Sequence, residues 1–202
     1  MIEITPLASS SKGNAYILSS ARTPSLLIEA GVRFKELQRA TGFRLSTYAG
    51  CLISHAHQDH ASAVPDLLRV GMECYMSAPT AETLGVQNEH NVRIVRPLKQ
   101  FNVSGWTILP FETIHDCEGT LGFLIGDGQD KLLFATDTAY LRYRFSGVTH
   151  LMIECNYICE ILDENVQNGT VSHERRARVI RSHMSLARLL TMLKANDWSQ
   201  LQ

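Results

Sequence analysis

Three features of the sequence predict a mixed α/β chain built in layers. Short apolar runs punctuated by turn residues fill the first third, helical spacing enters between such runs from the middle onward, and there is no internal repeat or low-complexity linker. At 202 residues the chain is long enough for one sizeable core, and its 45% hydrophobic content is ordinary for a globular protein. We therefore expect one domain spanning residues 1–202.

In order along the chain, strands are expected at Glu3–Leu7, Ala15–Leu18 and Ser25–Glu29, with Ser9–Asn14 as a Ser/Gly-rich loop between the first two. Helical spacing follows at Phe34–Ala40, then a strand at Cys51–Ser54, then helical patterns at Ala61–Val70 and Thr80–Leu84. Further strands are expected at Arg93–Val95, Trp106–Thr113, Gly122–Ile125, Leu132–Thr136 and His150–Glu154, with Gly126–Gly128 as a hairpin turn. From about Glu174 to Ala195 the pattern is helical.

Nineteen basic residues nearly balance twenty acidic ones, so the field of the whole molecule cannot be what attracts a polyanion, and any nucleic-acid contact must be local. No apolar stretch approaches the roughly 20 residues of a membrane span, and Met1–Pro6 does not read as an export signal, so a cytoplasmic protein without a membrane partner is expected. Five cysteines, at 51, 74, 117, 155 and 159, form an odd set with no CxxC pair. Reduced thiols acting as small buried hydrophobes are the expectation for each.

The decisive run is Ile53-Ser54-His55-Ala56-His57-Gln58-Asp59-His60, directly after one apolar strand and before a helix. Four ligand-type side chains fall within six residues there. Neutral imidazole and carboxylate are the donors that zinc and its borderline neighbours prefer. The spacing differs from the HExxH helix signature, which argues against a zincin-type protease. The bland alternative, histidines on a surface turn, fits a lone histidine far better than this packed run. His115 follows the strand at 106–113 and Asp137 follows the strand at 132–136, each just past a strand end where loops gather to form sites. Singly, His115 reads as a loop residue and Asp137 as a turn or cap; jointly they complete a ligand set.

HAHQDH at 55–60 resembles the HxHxDH signature of the metallo-β-lactamase superfamily, and His115 and Asp137 resemble its next two ligand motifs. The resemblance implies a four-layer αββα sandwich. It assigns His55, His57 and His115 to a first divalent metal, Asp59 and His60 to a second, and Asp137 to both. Zn²⁺ is the expected ion, with Mn²⁺ next. It further implies a metal-activated water attacking an ester or phosphodiester, with Asp59 helping to orient that water. The superfamily's last second-metal histidine follows a further helix and strand, and Lys194–Trp198 supplies none. The C-terminal part is therefore expected to be short, and occupancy of the second position is left open, with a neighbouring copy in a homo-oligomer as one source of the ligand. The absence of a long insertion after Asp137 argues against a β-CASP cap.

Leu7–Asn14 and Leu27–Gly31 resemble the opening of the YycJ/WalJ-like branch, which has phage-type members, while Glu154–Tyr157 and Arg181–Ser185 resemble its later EANxD and GHLSN segments. That branch implies a nuclease acting on nucleic acid, exonuclease-like, or on nucleotides. His183 would then serve substrate phosphate or proton transfer, and Ser10, Asn14, Asn156 and Arg181 would bind substrate. Ser9–Asn14 reads equally well as an ordinary turn, and the arginines at 175, 176, 178, 181 and 188 as a solvated helix face. The alternatives are hydrolysis of a small ester, thioester or lactone, and a homologue that binds metal without turnover.

Overall fold

The computed structural model describes residues 1–202 and contains two sheets. In the first, β1 (Ile2–Ser10), β2 (Gly13–Ser20) and β3 (Thr23–Ile28) run antiparallel. Beside β3, the strands β4 (Cys51–Leu52), β5 (Cys74–Met76) and β6 (Val92–Ile94) continue in parallel. Parallel neighbours need crossovers. These are supplied by α1 (Phe34–Ala40), by α2 (Gln58–Ala61) with α3 (Val64–Arg69), and by α4 (Ala78–Thr83). The second sheet has the order β11-β10-β9-β8-β7, from β7 (Phe101–Val103), β8 (Trp106–Glu112), β9 (Leu121–Gly126), β10 (Lys131–Ala135) and β11 (His150–Ile153). All its pairs are antiparallel except β10 with β11. Three helices follow: α5 (Cys159–Gln167), α6 (His173–Ser182) and α7 (Leu186–Lys194).

Strand periodicity sorts the side chains into layers. Tyr16, Leu18, Leu26 and Ile28 from the first sheet meet Ile108, Phe123, Ile125, Leu132 and Phe134 from the second in a core between the sheets. The alternate residues Ala15, Ile17, Leu27, Cys51 and Ile53 face outward and are covered by Leu37, Val64, Leu67 and Ala81 of the crossover helices. On the other side Leu133 and Ala135 pack under Met184 and Met192. The inner strands of each sheet are therefore buried on both faces, which is why they read as nearly continuous apolar runs. The result is a mixed α/β fold of two sheets flanked by helices, as the sequence resemblance implied.

Several expected boundaries are corrected. Ser9–Asn14 is not a loop: β1 and β2 pair through Ser10 and Gly13, leaving only Ser11 and Lys12 as the turn. The turn after β9 is Asp127–Asp130 rather than Gly126–Gly128, and it is organised by the Asp127 carboxylate, which accepts from the Gln129 and Asp130 amides at 2.9 and 2.8 Å. The expected helix at 61–70 is two short helices, with Pro65 in the first turn of the second. The helical pattern at 174–195 breaks at His183–Ser185. Strands β5 and β7 and helix α5 were not foreseen. All five cysteines are free thiols; Cys51 and Cys74 are buried, but Cys117 is half-buried and Cys155 and Cys159 are exposed. Cys155 sits just past β11 on the rim of a cleft, and Cys159 opens α5, so neither faces a core.

Candidate metal centre

The residues at 53–60 leave the inner part of the first sheet and turn into α2, so their side chains emerge where the two sheets meet. The segment is gripped from below. Ala30 donates to the His60 carbonyl at 2.7 Å, and the Asn14 amide donates to the Asp59 carbonyl at 3.2 Å. At Gly31 a Cβ would lie 1.7 Å from the Asp59 carbonyl oxygen, so only glycine permits this approach.

Three imidazoles converge. His57 Nδ1 lies 3.0 Å from His55 Nε2 and 3.3 Å from His115 Nε2, and Asp137 Oδ2 lies 3.7 and 3.6 Å from the latter two atoms. One donor atom from each of His55, His57, His115 and Asp137 falls within 4.8 Å of all the others. His115 Nδ1 lies 2.8 Å from the Ser182 carbonyl, which can only accept, so Nδ1 carries the ring proton and Nε2 presents a lone pair. Burial, the largest influence, pushes His55 down to about 2 and also lowers His115, so both rings are neutral near pH 7. Convergent neutral nitrogens beside a carboxylate repel one another unless a cation lies among them. The donor set, three imidazoles and a carboxylate with one side open to a cleft, fits a divalent transition metal.

His60 occupies the adjacent position. Its Nε2 is 3.5 Å from both Asp59 Oδ2 and Asp137 Oδ2 and 3.2 Å from the Asn14 amide, while its Nδ1 faces Glu29 at 3.6 Å. Burial opposes a charge on this ring, but the three carboxylates outweigh it and push its pKa up to about 12. The three carboxylates around the ring carry negative charge that either the ring proton or, in its place, a cation between Asp59 and Asp137 would balance. Glu29 is fully buried at φ 64°, and Asp137 adopts φ 39°, a left-handed conformation held only because its surroundings over-determine it.

The open side is a cleft of about 630 Å³. Asp59, Asp137 and His183 line it together with Ser10, Asn14 and Asn156, so the structure brings these expected site residues to one place. Asn14 spends its amide on the Ser10 and Asp59 carbonyls, tying the β1–β2 hairpin to the metal segment. Arg181 is not in the lining; it is exposed on α6. His57 and His115 reach the cluster from the side, and Asp116, which accepts from Arg178 at 2.6 Å, lies 3.0 Å from His115 Nε2.

Glu154, within the segment 154–157, has no role that the sequence pattern assigns. Its carboxylate accepts from the Thr138 and Met184 amides at 2.8 and 3.2 Å and from His183 Nδ1 at 2.5 Å. Burial works against protonation of His183, yet this ion pair holds its pKa above the usual value. Glu154, Asp137 and His183 also form a second group with donor atoms within 4.8 Å. Glu29, orphaned at Oε1 beside His60, was likewise missed. The only signals were a carboxylate after an apolar strand in each case.

Among curated proteins, none matches the chain in sequence. Solved structures do match in fold. YhfI from Bacillus subtilis, a metallo-beta-lactamase fold protein, superposes with a TM-score of 0.66 at 18% identity, over 93% of this chain and 78% of that one. Zn(2+)-bound PqqB from Methylobacterium extorquens gives 0.67 at 14% identity, over 91% and 81%. Rm3 metallo-beta-lactamase gives 0.58 at 18% identity, over 95% and 90%. The sequence profile described as Beta-lactamase superfamily domain matches residues 25–195, a span holding His55 through Asp137 and all but the first two strands. With that match across most of the chain, and a cluster of histidines and aspartate where the two sheets meet, this protein belongs to the beta-lactamase superfamily.

Proposed function

We propose that this chain is a metal-dependent phosphodiesterase acting on nucleic acid, in the manner of an exonuclease, or on nucleotides. The observation that carries the proposal is the convergence on Asp137 of the His55, His57 and His115 group on one side and of His60 with Asp59 on the other, with Asp59 and Asp137 lining a polar cleft. His55, His57 and His115 would hold one ion with Asp137, and Asp59 and His60 would hold the other. Zn²⁺ suits the imidazole-rich set, with Mn²⁺ as the second choice. Bound together, the ions would supply Lewis acidity at the phosphoryl oxygens and a water nucleophile available near pH 7.

The chain's own residues account for the remaining steps. Asp59, on the cleft wall, is placed to orient the attacking water. Glu154 fixes the His183 ring through Nδ1, which leaves Nε2 to deliver a proton to the departing oxygen, and the same ion pair favours the protonated ring against its burial. Ser10 and Asn156 offer hydroxyl and amide groups to non-bridging oxygens, while Asn14, its amide engaged by the Ser10 and Asp59 carbonyls, holds the hairpin that carries Ser10 against the metal segment. Arg181, farther out, would meet the polymer backbone beyond the reacting group. The resemblance of the segments at 7–14, 154–157 and 181–185 to the YycJ/WalJ-like branch supports the same substrate class.

Charge favours an anionic substrate only when cations are present. Asp59, Asp137 and Glu154 line the cleft and no lysine or arginine does, so a phosphodiester is repelled until the carboxylates are neutralised. Purified protein with Zn²⁺ or Mn²⁺ is expected to degrade a labelled oligonucleotide or a nitrophenyl phosphodiester, and His57→Ala or Asp59→Ala to abolish this. Turnover of lactone or thioester reporters with no phosphodiester cleaved would establish the ester-hydrolase reading instead. Tight metal binding with no turnover of any substrate would mark a non-catalytic homologue.

A further inference from the structure

The metal cleft does not end at Asn156. Cys155 and Asn156 line both that cleft and a second groove of about 690 Å³ between α5, α6 and the start of α7, so the two adjoin along these residues. The groove has an apolar and aromatic wall of Tyr157, Ile158, Ile161 and Leu186, of which Ile161 is 53% exposed. The amide of Asn165 and the guanidinium of Arg175 stand at its edge. Neighbouring arginines on α6 are engaged, Arg176 by Asp163 and Arg178 by Asp116, whereas Arg175 has no carboxylate within 4.0 Å. Beside the cleft's carboxylates and His183, the groove thus adds amides, apolar and aromatic side chains, and a cation without a carboxylate partner.

That set of chemistries is the one a polynucleotide repeat calls on: a phosphate, a hydrogen-bonding base with an apolar face, and a second phosphate. We infer that the groove is a nucleoside subsite: the nucleoside next to the reacting phosphate packs on Tyr157 and Ile161, its amide contacts come from Asn156 or Asn165, and its far phosphate meets Arg175. This rests on the phosphodiesterase reading and narrows it to a substrate carrying at least two phosphates with a nucleoside between them. A small ester would use the cleft and leave the groove and its cation without a partner.

The test compares two substrates on the metal-loaded protein: a short labelled oligonucleotide and a nitrophenyl phosphodiester that has nothing to place in the groove. Tyr157→Ala and Arg175→Gln are expected to lower kcat/KM on the oligonucleotide about ten-fold or more, the size of one lost base stack or phosphate contact, mainly through KM. Arg175→Gln should also flatten the salt dependence of oligonucleotide binding, followed by fluorescence anisotropy. An oligonucleotide with an abasic site next to the cleaved position should bind wild type about as weakly as the intact strand binds Tyr157→Ala. Leu190→Ser, on the exposed side of α7 outside the groove, is the folding and surface control and should behave as wild type. Equal losses on both substrates, or no loss on the oligonucleotide, would overturn the subsite while leaving the phosphodiesterase reading intact. Failure of wild type on both substrates would instead overturn the reading on which the subsite rests.

Discussion

Gly31 shows how a residue without a side chain can govern the chemistry beside it. Its Cα faces the Asp59 carbonyl so closely that any side chain must displace the metal segment. Gly31→Ala is expected to destabilise the fold by about 1–3 kcal/mol, the usual range for overpacking, and to reduce bound metal measured by elemental analysis. Retained stoichiometry at wild-type stability would contradict the close approach. Glu154→Gln is expected to leave the fold intact and move the alkaline limb of the kcat/KM profile to lower pH. The sign follows from the ion pair: Glu154 holds His183 protonated to higher pH, so its loss frees the proton earlier. An unmoved limb would remove His183 from proton delivery. At this scale the ligands were legible because each sits just past an apolar strand. The partners Glu29 and Glu154 were not, because their importance comes from a buried contact 31 and 29 residues away, which no local pattern encodes.

Between elements, the break from α6 to α7 matters most. Ser185 caps α7 by accepting from the Arg188 amide at 3.2 Å, and His183 is extended at φ −130°, so the turn presents its ring to the cleft. Ser185→Ala should cost about 1 kcal/mol in denaturant unfolding, and kcat should fall by more than that loss of stability explains. The Asp127 turn carries a different expectation. Burial opposes its charge, but Ser20 and the amides of Asp130 and Gln129 depress its pKa to about 2. A depressed carboxylate stabilises the fold above its unfolded pKa, about 3.9, and that stability disappears as pH falls toward 2. Asp127→Asn should therefore flatten the acid-denaturation profile between about pH 4 and 2. Two missed elements lack the local signals that sequence reading relies on: β5 is three buried residues, too short to alternate, and Ile158 at the start of α5 offers no capping side chain.

For the whole molecule, the centre joins the two sheets. His55, His57 and His60 leave the first sheet and His115 and Asp137 leave the second, so a cation binds only when the sheets are docked. Metal at a hundred times its dissociation constant should add about 2.7 kcal/mol. For a chain of this size that raises Tm by about 5–10 °C, and chelation should reverse the gain. An unchanged melt on chelation would mean that the sheets dock without any help from the ion. The layered architecture was legible because double-sided burial writes apolar runs into inner strands such as β2, β9 and β10.

The order of the ligands along the chain has a consequence for biosynthesis. The first imidazoles leave the ribosome about 60 residues before His115 and about 80 before Asp137. A nascent chain therefore exposes a partial chelate, an open claw of histidines, well before anything can close it. Secure loading has to wait until the second half of the polypeptide has been synthesised and has collapsed onto the first.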